Sequence, residues 1–197
     1  MLRFDYKNLI VIGSVDLIYT LKNCRDGSNA VYDTTVEIKE NNGRLYFKFD
    51  CKNSKYFCPF HNYNDIHSSG DICEILIGSD PKRKKYFEIE ISPENVLMIG
   101  LIEKCGEDDE GPVLKLDLVD DCFIESKVTL TNGGYIAELW FDENCIRTDE
   151  NDIFFNAYRI ETDGGESEKH LFALSPTMRG KFHTPEYFVY LKDYKGE

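Results

Sequence analysis

Apolar and polar residues alternate along most of this chain, and helical periodicity is hard to find over any window long enough to matter. Leu45, Phe47, Phe49 and Cys51 share one side of a run whose other side is Tyr46, Lys48 and Asp50, and Phe87, Ile89 and Ile91 oppose Tyr86, Glu88 and Glu90. Both read as half-buried strands with one wet face, since successive side chains of a strand point to opposite sides of its sheet. Further strand-like runs cover 14–22, 31–38, 71–77, 96–102, 113–119, 122–130, 134–141, 153–161, 169–174 and 187–192. Asn41-Asn42-Gly43, Asn132-Gly133-Gly134 and Asp163-Gly164-Gly165 each join two such runs and suit the positive φ angles of tight turns. Pro81, Pro93 and Pro112 fall between runs, where a missing N–H interrupts no ladder. Short helical pieces are expected near 143–148 or 184–188. The pattern predicts an all-β chain, a single-domain antiparallel β-sandwich over 1–197, jelly-roll-like, with few short helices.

The composition supports a packed core: 42% of the 197 residues are hydrophobic and 13% aromatic, too apolar for a disordered chain. A net charge of −13 argues against nucleic acid, whose affinity rests on cationic neutralisation, and against anionic membrane surfaces. Neutral ligands such as sugars are indifferent to that field. Lys82-Arg83-Lys84-Lys85 reads as a charged hairpin tip, and Glu107-Asp108-Asp109-Glu110 as a solvated loop, since a linear run of acids does not surround a calcium ion. Seven cysteines at irregular spacing, with no CxxC pair, read as reduced thiols packed like small hydrophobes. A zinc site from Cys58, His61, His67 and Cys73 is the weaker alternative. The N-terminal residues lack the apolar stretch of a signal peptide and no run reaches membrane-spanning length, so the expected location is cytoplasmic, or secreted if a leader precedes the sequence given.

Candidate chemistry gathers in a few places. Glu74 lies in Asp71-Ile72-Cys73-Glu74-Ile75-Leu76-Ile77, apolar on both faces, so its carboxylate needs a partner: a ligand hydroxyl or, more simply, an arginine such as Arg159 on another strand. Asn156 and Tyr158 share one side of their strand, opposite Arg159. His183, between Phe182 and Thr184-Pro185, can donate to a hydroxyl or fix its own loop, and His170 shares a side with Phe172 and Leu174. Trp140, the sole tryptophan, reads as a core or sheet-face residue more than a platform. There is no Gly-x-Ser-x-Gly elbow, phosphate-cradling loop or HExxH, and no carboxylate pair stands out for glycoside hydrolysis. A non-catalytic binding protein is the expectation.

Read in order, Asp71-Ile72-Cys73-Glu74-Ile75-Leu76-Ile77, Tyr86-Phe87-Glu88-Ile89-Glu90-Ile91-Ser92-Pro93, Ile136-Ala137-Glu138-Leu139-Trp140, Phe155-Asn156-Ala157-Tyr158-Arg159-Ile160-Glu161, Leu174-Ser175-Pro176-Thr177 and Phe182-His183-Thr184-Pro185-Glu186 resemble the family 9 carbohydrate-binding modules, in particular their divergent, stand-alone bacterial relatives. The resemblance spans roughly residues 30–192. It implies a β-sandwich that grips a saccharide or chain end without catalysis and, in characterised members, calcium ions that support loops, so structural calcium is a candidate cofactor with no ligands assigned. The implied cleft is bordered by Glu74, Asn156, Tyr158, Arg159, Leu174 and His183, with a neutral saccharide as partner. Two departures stand out. Leu174 and the stretch His67-Ser68-Ser69 occupy the places where binding-competent members carry aromatic clamp residues, and Glu88 and Glu90 stand where an arginine holds hydroxyls. Tyr158, Phe182, Tyr187 and Tyr63 are available as replacement aromatics. The alternative function is a sandwich that has lost sugar binding and serves as a protein-interaction or structural unit, its former cleft filled by Leu174 and its neighbours.

Overall fold

The computed structural model describes residues 10–12, 17–66, 69–108, 111–120, 123–147, 152–165 and 168–192. Strand accounts for about 54% of the chain and helix for 4%, so the all-β expectation holds. One sheet contains β1 (Ile10–Ile12), β3 (Lys22–Asn23), β6 (Ile72–Gly78), β7 (Lys85–Ile91), β8 (Leu97–Asp108), β9 (Gly111–Leu118), β12 (Ile153–Glu161), β13 (His170–Ala173) and β14 (Val189–Lys192). Its order is β1-β14-β12-β6-β7-β8-β9, with β13 joining β3 to the other end of β12. The second sheet contains β2 (Leu17–Thr20), β4 (Thr34–Asn41), β5 (Arg44–Lys52), β10 (Glu125–Thr131) and β11 (Gly134–Asp142), in the order β10-β11-β5-β4-β2. Every pairing is antiparallel except β1 with β14.

The period-two pattern explains why the sheets face each other. Val36, Ile38, Leu45, Phe47, Phe49, Ala137, Leu139 and Phe141 cover the inner side of the five-stranded sheet, and Ile75, Ile77, Ile89, Ile91, Ile99 and Phe155 that of the nine-stranded one. Phe47 stacks on Phe141 within its own sheet at 5.9 Å and meets Phe155 of the other sheet edge-on at 5.6 Å. Each buried aromatic or branched side chain contributes about 1.5–3 kcal/mol relative to leaving it in water. The Asn41-Asn42-Gly43 turn joins β4 to β5 with Asn42 and Gly43 at φ 54° and 80°. At Gly134, which opens β11 at φ 149°, a Cβ would stand 1.9 Å from the Cys51 carbonyl oxygen, so no other residue fits there. Among the described residues the helical pieces are single 3₁₀ turns, Glu143–Cys145 and Pro185–Tyr187.

The expected wet side of 85–91 is not wet: Tyr86, Glu88 and Glu90 are 1%, 8% and 5% exposed. After β13 the chain returns across the outer side of the nine-stranded sheet, where Phe182 stacks on Tyr158 at 4.1 Å and Phe188 meets Tyr86 edge-on at 5.4 Å. β6 and β12 are consequently buried along their whole length on both sides. The basic hairpin tip between β6 and β7 fastens this covering segment. Arg83, at φ 53°, donates to the carbonyls of Pro185 (2.7 Å) and Phe188 (3.3 Å) and lies 4.7 Å over the Tyr190 ring. Among the described residues no helix is long and apolar enough to cross a membrane.

Candidate functional site

Strand pairing on the outer side of the nine-stranded sheet brings three carboxylates together. Glu74 of β6 stands opposite Glu90 of β7, and Leu76 stands opposite Glu88. Because Glu88 and Glu90 are two residues apart they point the same way, toward Glu74. One ligand oxygen from each lies within 4.8 Å of the others, and all three side chains are buried. Glu74 Oε1 and Glu90 Oε2 have no hydrogen-bond partner. Burial, followed by the charges of Glu88 and Glu90, pushes the Glu74 carboxyl well above the usual range. Burial and then the Glu88 charge push Glu90 up to about 8. The cluster reaches its rim through Glu88, whose Oε1 is 3.4 Å from His183 Nε2, while His183 Nδ1 shares a 3.2 Å hydrogen bond with the Tyr86 hydroxyl. His183 is 29% exposed, and Phe182 beside it is half-buried.

Of the six residues expected to border a cleft, Glu74, Asn156, Tyr158 and His183 share this outer side. Asn156 and Tyr158 are spent on the fold. Asn156 Nδ2 donates to the Tyr158 hydroxyl and the Ser175 carbonyl, both at 2.8 Å, and its Oδ1 accepts from the Ser175 and Ala157 amides at 3.0 Å. That uses both amide donors and both carbonyl lone pairs. Tyr158 is fully buried and donates to the Phe182 carbonyl at 2.9 Å, so the two residues hold down the segment that carries His183.

Arg159 and Leu174 face the interior between the sheets, and the expected Glu74–Arg159 pairing does not form. Tyr158, not Arg159, is the register partner of Glu74, which turns Arg159 to the opposite side. There it is fully buried, pairs with Glu161, donates to Thr34 Oγ1 at 2.7 Å and lies 5.6 Å from the Tyr135 ring centroid. Leu174 is 5% exposed and packs in the main core. The side chain that covers Tyr158 on the outer side is Phe182, not Leu174. His170 stacks near Phe172 and meets Tyr32, also on the interior side.

Glu88, Tyr86 and Phe182 are the site residues that the sequence did not single out together. Alternation put Glu88, Glu90 and Tyr86 on one side of a strand, but only the pairing with β6 sets them beside Glu74. Trp140 lies on the far side of the molecule, on the outer face of the five-stranded sheet, 5.2 Å from Tyr46. With Lys39, Arg44 and Leu45 these rings line a shallow hollow of about 410 Å³. Among the described residues the three glutamates are the only group of three potential metal ligands. Cys73 packs against Cys51 in the core at 3.4 Å, apart from half-buried Cys58, while His67, Ser68, Asp109, Glu110 and Cys122 lie outside the described residues.

No protein-family model matches the chain, and no curated protein matches it by sequence. Solved structures do. A "putative carbohydrate-binding protein" from Bacteroides uniformis superposes with a TM-score of 0.71 at 10% identity, covering 94% of this chain and 97% of that one. A family 9 carbohydrate-binding module from Caldicellulosiruptor kristjanssonii, in complex with glucose, gives 0.61 at 13% identity over 97% and 98% of the two chains. The same organism's family 9 module in complex with cellotriose gives 0.63 at 12% identity over 97% and 95%. The chain therefore has a fold like that of the family 9 carbohydrate-binding modules, as its motifs led us to expect.

Proposed function

We propose that this is a non-catalytic carbohydrate-binding protein that takes a small neutral saccharide, or the end of a chain, at the rim formed by Phe182, His183 and Glu88 on the outer side of the nine-stranded sheet. The observation that carries this reading is the meeting of a half-buried aromatic residue, a partly exposed histidine and a carboxylate, with His183 Nε2 3.4 Å from Glu88 Oε1. A sugar asks for that combination: an aromatic face for its C–H groups and planar polar groups for its hydroxyls. Two neighbours of the same fold were captured with glucose and with cellotriose, which supports the ligand class. The site is small because Phe182 already lies on Tyr158. Thermal unfolding with a panel of mono- and oligosaccharides tests the proposal, since a ligand of the folded state alone raises Tm. At least one neutral sugar should raise Tm in the wild type, and His183→Ala should lose the shift. A flat response across the panel sinks the reading.

A second reading, a sandwich without sugar affinity that serves as an interaction unit, draws on a different observation. Leu116 and Leu118 of edge strand β9 are 47% and 51% exposed and lie on the same side as Glu88. An exposed apolar row on a strand that ends its sheet among the described residues is a surface that a partner can cover. It gains weight if the sugar panel is flat.

A further inference from the structure

The three glutamates pose a problem that saccharide binding does not solve. Glu74 and Glu90 are 2% and 5% exposed, so bulk water does not solvate their charges, and each keeps an oxygen with no partner. Buried carboxylates are normally paired, protonated or bound to a metal. The basic groups nearby do not serve. Arg159 faces the interior with Glu161, Arg83 is committed to the Pro185 and Phe188 carbonyls, and His183, bonded to Tyr86 through Nδ1, pairs with Glu88 rather than with Glu74 or Glu90. What remains is a set of three converging carboxylates, donors of one chemical type, on two adjacent, hydrogen-bonded strands.

We propose that Glu74, Glu88 and Glu90 form a binding site for a hard divalent cation, calcium first. All-oxygen donors select calcium, magnesium or manganese over zinc and copper, which favour nitrogen and sulfur. Calcium accepts irregular geometry from carboxylates that chelate with one or both oxygens, whereas magnesium demands a near-octahedral shell. A divalent ion offsets two of the three charges, and His183 lies beside the third. The site goes beyond the saccharide reading and stands without it.

The test uses the whole protein stripped with chelator and dialysed, with no sugar present. Calcium chloride alone is titrated by calorimetry and by thermal melts, then magnesium and manganese chloride. The expected result is saturable binding of one calcium ion per chain with a rise in Tm. Glu74→Gln and Glu90→Gln, which keep side-chain size and remove charge, should each weaken it by at least about tenfold, the scale that even an outer-sphere partner commands. Terbium supplies a readout without substitutions: with Tyr86 and Tyr158 on the same side as the cluster, tyrosine-sensitised emission should appear and be displaced by calcium. Absence of heat, Tm shift and sensitised emission in the folded wild type overturns the proposal and leaves the carboxylates protonated. Binding that persists unchanged in both folded variants overturns it as well, because the ion then sits elsewhere. Either result leaves the sugar panel to be read separately.

Discussion

Replacing Arg159 with methionine separates a structural arginine from a ligand-binding one. The guanidinium and the Glu161 carboxylate are both fully buried, and the arginine also donates to Thr34 Oγ1 at 2.7 Å and to the Lys52 carbonyl at 3.4 Å. Removing one partner of a buried pair costs about 3–5 kcal/mol, because the survivor is left as an uncompensated charge. Here Glu161 retains hydrogen bonds from Asn53 Nδ2 (3.0 Å) and the Asp163 amide (2.8 Å), which places the cost at the lower end, about 3 kcal/mol. In a chain of this size that lowers Tm by roughly 6–12 °C. Urea unfolding followed by far-ultraviolet circular dichroism, at one pH, reads the loss. The double variant Arg159→Met/Glu161→Met should recover most of it, since well-packed apolar pairs often equal the ion pair they replace. Saccharide and cation binding, scaled to the folded fraction, should not change. A single-variant loss below about 1 kcal/mol, the ordinary range of an exposed ion pair, would refute the interior placement.

Three further outcomes follow from the same geometry. Glu90 is held near 8 when folded against an ordinary value of 4.5, so its contribution to stability is full below about 4.5 and is lost as pH rises through 8. In chelator the wild type should therefore lose stability relative to Glu90→Gln between pH 5 and 8, by up to about 1.4 kcal/mol per pH unit, and parallel urea curves for the two proteins would contradict this. Asn156→Ala should cost about 2–3 kcal/mol by orphaning the Ser175 groups, and should speed hydrogen exchange at the Ser175 amide more than in the core strands. Trp140 emission should stay constant during any saccharide titration that raises Tm, because the tryptophan sits on the outer face of the other sheet.

The legibility of this chain followed how far each side chain's environment is set by its own strand. In β5 the pattern Leu45-Tyr46-Phe47-Lys48-Phe49 carries its meaning locally, since one side meets the opposing sheet and the other meets water. In β7 the same alternation was correct and the environment was not, because the cover over Tyr86, Glu88 and Glu90 arrives from residues about a hundred positions later. The turn chemistry of Asn42-Gly43 is likewise local and was readable. Partnership of Glu74 was not, since it depends on whether Tyr158 or Arg159 falls opposite it, and a shift of one residue reverses the answer. Leu174 illustrates the same point: it follows Ala173, the partner of Tyr158, and so turns inward. The three-residue strand Ile10–Ile12, paired in parallel with β14, is too short for a periodic signal.

Saccharide binding on the outer side of the nine-stranded sheet can be located by amide chemical-shift mapping of the isotope-labelled protein during titration with whichever neutral sugar raises Tm. The predicted result is saturable shifts clustered at Tyr86, Glu88, Phe182 and His183, with little change elsewhere. Shifts gathered instead around Tyr46 and Trp140, or none at saturating sugar, would contradict it.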